Sequence, residues 1–85
     1  MDTLAPLTTD ELKELSTVRQ LTASGVAKSI RVAARITLKE AADAIGVERT
    51  TLWRWEQGQQ PTGRVPHGDA ALRYGRFLKE LAGRA

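Results

Sequence analysis

The 85-residue chain has no cysteine, which excludes disulfide bonds and thiolate metal sites. Its one histidine, His67, lies in a Pro/Gly-rich segment without a carboxylate at metal-ligand spacing, so no metal is expected there. No apolar run approaches the ~20 residues of a membrane-spanning helix. The start, "MDTLAPLTTDEL", carries acids and no basic stretch, unlike a secretory leader, and a cytoplasmic location is expected. Strand-like alternation, internal repeats and low-complexity tracts are all missing. So are a Gly-rich phosphate loop and a nucleophile paired with a base. Enzyme activity, a cofactor and a small-molecule effector are therefore not expected. Aromatic residues are scarce, with two Trp, one Tyr and one Phe, so each large apolar side chain matters to a core of this size.

Hydrophobic residues make up 41% of the chain, enough for a globular fold, and the length suits one domain. Charge is spread unevenly. Residues 1–15 hold Asp2, Asp10, Glu11 and Glu14 against Lys13 alone, whereas the remainder holds twelve basic residues to six acidic. Such a basic surface suits a polyanion, or is simply a solvated face rich in Lys and Arg.

Apolar spacing and capping signals predict an all-α protein, a small bundle of about five helices. Thr8 and Glu11 form a capping-box pattern ahead of Leu12, Leu15, Val18 and Leu21, predicting a helix over about 9–22. Ser24 is a candidate cap for the next helix, where Val26, Ala27, Ile30, Ala33 and Ala34 share one face and Lys28, Arg31 and Arg35 the other. Gly25 either separates these two helices or lies inside one long one. Thr37 and Glu40 form a second capping box, Gly46 stops the helix over 38–45, and Val47 turns inward. A further helix covers about 49–57 and ends at Gly58. Residues 58–68, with two prolines and three glycines, form a loop. Asp69 caps a last helix, 69–82, with Ala71, Tyr74, Leu78 and Leu81 inward and Phe77 on the flank. The chain thus divides into an N-terminal helical arm, 1–23, and a domain, 24–85, whose central pair spans 37–57.

That central pair meets the physical needs of two short helices that cross steeply about a glycine corner. Ala41, Ala42 and Ala44 allow close approach. Leu52 and Trp55, three apart, share an inward face with Val47. Arg49, Thr50, Trp53 and Arg54 then face out. The stretch "ITLKEAADAIGVERTTLWRWEQG", residues 36–58, resembles the helix-turn-helix of the lambda repressor, Cro and Xre-like family. The resemblance rests on Thr37, Glu40, Ala42, Ile45, Gly46, Val47, Thr51, Leu52, Trp55, Glu56 and Gly58. It extends more weakly through residues 25–81. Three features depart from the family pattern. Ala41 replaces a larger apolar residue, the loop after Gly58 is long, and Glu48 stands where Ser or Thr often caps the helix. The Glu48 carboxylate can still cap. It is unfavourable close to phosphates unless it accepts from a cytosine amino group.

The resemblance implies a lambda repressor-like fold with an extra N-terminal helix. The implied function is sequence-specific binding of double-stranded DNA by a small transcriptional repressor of phage or prophage type. In this family the second helix of the pair enters the major groove. Arg49, Thr50 and Arg54 are then the expected base contacts, and Thr37, Lys39, Trp53 and Arg64 the expected phosphate contacts. Arg31 and Arg35 are weaker phosphate candidates. Trp53 either lies along the sugar–phosphate wall or packs on the loop at 59–61. Thr51, Glu40 and Glu56 are assigned structural roles. A homodimer is a candidate partner, through Tyr74, Phe77 and Leu81 or through Leu12, Leu15 and Val18; the same residues could instead only complete the core. The alternatives are an antitoxin-like or host-protein-binding interaction module on the same fold, or an architectural recombination factor.

Overall fold

The computed structural model describes residues 7–58, 61 and 63–83, and these form five helices with no strand among the described residues. Asp2, Gln59 and Gln60 lie outside the described residues. Helix α1, Thr9–Ser24, starts as its sequence dictates. The Thr8 hydroxyl accepts from the Glu11 N–H at 3.0 Å and the Glu11 carboxylate accepts from the Thr8 N–H at 2.9 Å. Two otherwise orphaned donors are satisfied together. The helix buries Leu15, Val18 and Thr22, one stripe at helical spacing.

The backbone turns left-handed at Gly25, with φ +84°, so α1 and α2 are separate helices that share this residue. Ser24 is the last residue of α1 and does not cap α2. Helix α2, Val26–Ala33, buries only Ala27 and half-buries Ile30 and Arg31. Of the apolar face expected there, Val26, Ala33 and Ala34 are exposed. The core-side position four after Ala27 belongs to Arg31, which has an acidic partner inside.

Helix α3, Leu38–Ile45, opens on the second capping box. Thr37 Oγ1 accepts from the Glu40 N–H at 3.1 Å, and the Glu40 carboxylate accepts from the Thr37 N–H at 2.9 Å. That backbone bond holds the Glu40 carboxyl below its ordinary range. Ala41, Ala42 and Ile45 are buried, but Ala44 is exposed, so two alanines rather than three face the crossing. The chain then turns at Gly46, φ +85°, whose N–H donates to the Ala42 carbonyl at 2.8 Å. Helix α4, Arg49–Glu56, follows after a three-residue corner, 46–48. Glu48 is in the N-cap position, but its carboxylate makes no capping hydrogen bond.

Helix α5 runs Gly68–Gly83, so Asp69 lies in its first turn rather than before it. It packs on α1, α2 and α3, and α1 also packs on α2 and α4. Leu15 and Val18 of α1 join Ala42, Ile45, Leu52, Trp55, Tyr74 and Leu78 in one core. The N-terminal helix is therefore a layer of that core. Tyr74, 1% exposed, belongs to the interior and not to a dimer surface, while Phe77 is half-buried against the same core and Leu81 is half-buried. Leu12 is 51% exposed, unlike Leu15 and Val18.

Side chains on α1 and α5 hold the corners from outside. Arg73 Nε donates to the Ile45 carbonyl at 2.6 Å, at the end of α3, and Arg19 Nε donates to the carbonyl of buried Pro66 at 2.9 Å. Gly58, with φ +60°, lies so close to α1 that a Cβ there would stand 2.5 Å from the Thr22 carbonyl oxygen. At Gly46 a Cβ would meet only the Arg73 guanidinium, at 3.4 Å. Gly46→Ala should therefore cost about 1–2 kcal/mol, the left-handed penalty alone. Gly58→Ala should cost at least about 1 kcal/mol more, because backbone must also move. Urea unfolding of the two variants checks the order.

Candidate nucleic-acid interface

Helix α4 has eight residues, too few to be stable alone, so its neighbours fix its pose. Its inner face is Leu52, Trp55 and Glu56, with Thr51 half-buried. Trp55 stacks on Tyr74 with ring centroids 5.5 Å apart and planes 23° apart. Glu56 takes Arg31 in a two-point contact, Nε to Oε2 at 2.6 Å and Nη2 to Oε1 at 2.9 Å. Their side chains are 12% and 2% exposed. The remaining Arg31 Nη1 donates to the Ile36 carbonyl at 2.8 Å. Desolvating two charges is costly, and a paired, fully hydrogen-bonded geometry is what offsets it. The Glu56 carboxylate raises the Arg31 pKa above its ordinary value, against the effect of burial. Arg31 thus holds α2 to α4 and is not a solvated or phosphate-facing cation. Burial raises the Tyr74 phenol well above its ordinary range, with Glu56 pushing the same way and Arg31 opposing.

The outer face of α4 presents Arg49, Thr50, Trp53 and Arg54, all exposed. Trp53 is 42% exposed and Trp55 2%, so the two rings divide between the faces. Arg49 and Thr50 line a shallow depression of about 620 Å³ with Lys39, Asp43, Gly46, Val47 and Glu48. Farther along the helix, Arg54 and Arg64 meet in a groove of about 250 Å³ with Thr51, Val65 and His67. The Arg64 N–H donates to the Arg54 carbonyl at 3.1 Å, which ties this loop to the end of α4. His67 is exposed, with Nδ1 3.3 Å from the Val65 carbonyl, and no group of metal-ligating residues exists among the described residues.

The expected contact residues therefore fall into two clusters along one helix. Lys39, Arg49 and Thr50 lie at its start, and Arg54 and Arg64 at its end. Thr37 sits exposed at the α3 cap, and Trp53 is exposed on α4; neither lines either depression. Arg35 is also exposed, in a left-handed conformation with φ +60° just past α2. Lys39 is not free: its Nζ meets Asp43 at 2.8 Å, but both side chains are about two-thirds exposed, 67% and 66%. Such a pair is worth only about 0.3–0.5 kcal/mol, so an incoming anion can compete for the ammonium. The spacing of Lys39 and Asp43, four apart on one helix, is the sequence signal for this pair, and it adds Asp43 to the residues expected around the site. Arg31–Glu56 and Arg73–Ile45 join residues 25 and 28 apart, for which no local pattern exists.

No protein-family model, no curated protein and no solved structure matches this chain. The functional reading therefore rests on its own residues and on the resemblance of residues 36–58. No helix among the described residues is long and apolar enough to cross a membrane.

Removing one partner of a buried ion pair strands the other charge. Glu56→Ala should lower stability by about 3–5 kcal/mol. The double change Arg31→Met with Glu56→Leu should recover much of that loss. Chemical denaturation of the single and double variants measures both.

Proposed function

We propose that this protein is a sequence-specific double-stranded DNA-binding transcriptional regulator of the lambda repressor, Cro and Xre-like helix-turn-helix type, acting as a small repressor of phage or prophage kind. One observation carries the reading. A short helix anchored on one side by Leu52, Trp55 and Glu56 turns Arg49, Thr50, Trp53 and Arg54 outward, with no acid among its exposed residues. Arginine can grip guanine at two acceptors in the major groove, and threonine offers a hydroxyl or a methyl contact. Lys39 and Thr37 at the start of α3, and Arg64 on the tethered loop, then flank the helix where the two backbones of the groove would pass.

In this assignment Arg49 and Thr50 read bases. Arg54 reads a base next to the phosphate that Arg64 contacts, and Trp53 borders the sugar–phosphate wall. Thr37 offers its hydroxyl, which accepts within the cap and still has a proton to donate. Two-fold binding would use Phe77 and Leu81 without Tyr74. A protein-binding module on the same fold would draw on a different surface, the segment leading into α1 and its first turn, where Leu7 and Leu12 are 46% and 51% exposed and Asp10 is exposed too.

Binding to genomic duplex fragments across a salt series tests the reading. It predicts preferred fragments and an affinity that falls steeply with salt. Arg49→Ala should cost about 1–3 kcal/mol and relax preference at one base position, whereas Lys39→Ala should weaken all sequences alike and reduce the salt slope by about 1. A wild type without preferred DNA, unaffected by the arginine change, contradicts it.

A further inference from the structure

We infer that Glu48 is a specificity-determining residue that selects cytosine in the DNA site, an inference that rests on the DNA-binding reading above. Glu48 occupies the N-cap of α4 with extended backbone, φ −71° and ψ 149°. An acid there normally turns back to accept from the first helical N–H groups. The two threonine caps of this chain do so, Thr8 on Glu11 and Thr37 on Glu40. Glu48 does not, and among the described residues its carboxylate has no hydrogen bond and no ion pair. It is exposed in the same depression as Arg49, Thr50 and Lys39. The other carboxylate there, Asp43, is already matched by Lys39. Glu48 is thus the one unmatched negative charge at the base-reading end of α4 in that depression.

A bare carboxylate facing DNA is repelled by every phosphate, whatever the sequence. It also accepts hydrogen bonds only. On the major-groove floor guanine shows two acceptors and thymine a carbonyl, so both repel it. Adenine offers an amino group beside the N7 acceptor, which partly cancels the attraction. Cytosine's amino group has an acceptor, the paired guanine O6, on one side only and C5–H on the other, whereas adenine's lies between N7 and the paired thymine O4. The carboxylate therefore raises the cost of all duplexes and returns it only where cytosine lies beneath. Arg49, one residue along, has the opposite polarity and prefers guanine. Together they form a paired reader for one C and one G at the helix start, in which Glu48 acts mainly by rejecting wrong bases.

The test is selection from random duplex DNA with wild type, Glu48→Ala and Glu48→Gln, followed by titration of each protein on the wild-type site and its single-base variants. Wild type should require a cytosine at one position and lose roughly tenfold or more in affinity when that pair becomes T·A. Glu48→Ala should lose this dependence, keep the preference set by Arg49, and bind unrelated duplex more tightly. Glu48→Gln should shift the position toward adenine, whose N6 and N7 match an amide. The shift separates base reading from any effect on α4, which Glu48 does not cap. Selection of a site by wild type, with both variants keeping its preference at every position, overturns this inference and leaves DNA binding intact. Failure of wild type to select any site overturns DNA binding itself, and the inference with it.

Discussion

The buried pair of Arg31 and Glu56 is the contact on which the arrangement of α4 depends. Eight residues cannot hold a helix together in water, so α4 takes its pose from what it touches. Leu52 and Trp55 give burial, which is strong but not directional. Arg31 supplies direction. It grips both carboxylate oxygens from α2 and the Ile36 carbonyl ahead of α3, so one guanidinium fixes three segments. The Trp55–Tyr74 stack sets the distance to α5. With the inner face fixed in this way, the outer face has no freedom to rotate inward.

The same constraint shapes the surface around α4. The corner at 46–48 is closed from outside by Arg73 on the Ile45 carbonyl, and the loop after Gly58 is held at Pro66 by Arg19 and at Arg64 by Arg54. Both ends of the exposed face are thereby tied to long helices of the core. Side chains that must meet a partner with sub-ångström tolerance are best carried on such fixed elements. Flexible arginine tips on a rigid base also lose little on binding beyond their own rotamer freedom.

Much of the architecture was legible in local signals. Both capping boxes, the Gly46 corner and the inward pair Leu52 and Trp55 follow from spacing alone, and the structure has them all. The errors have a common origin. Helical periodicity groups Arg31 with Lys28 and Arg35 on a polar face, because it treats every charge as outward; only the position of Glu56, 25 residues away, turns Arg31 inward. Nothing local to Tyr74 says that Trp55 covers it, so sequence alone leaves it available to a dimer surface. Ser24 has the residue type of a cap but lies inside α1, and Glu48, which does occupy the N-cap of α4, makes no capping hydrogen bond, because capping depends on where the side chain turns. In the candidate interface, residue types and their outward direction could be read from sequence. The joining of Arg54 to Arg64 needed the fold, whereas Lys39 and Asp43, four apart on one helix, are paired by local spacing.

Both tryptophans of the chain lie on α4, two residues apart and on opposite faces, so each face carries its own probe. The most direct measurement is the pair of indole N–H resonances of ¹⁵N-labelled protein as duplex DNA carrying its selected site is added. A helix held by one face and binding by the other predicts that the Trp53 resonance moves while that of Trp55 stays nearly fixed. Movement of Trp55 alone, or of neither resonance at saturating duplex, contradicts it.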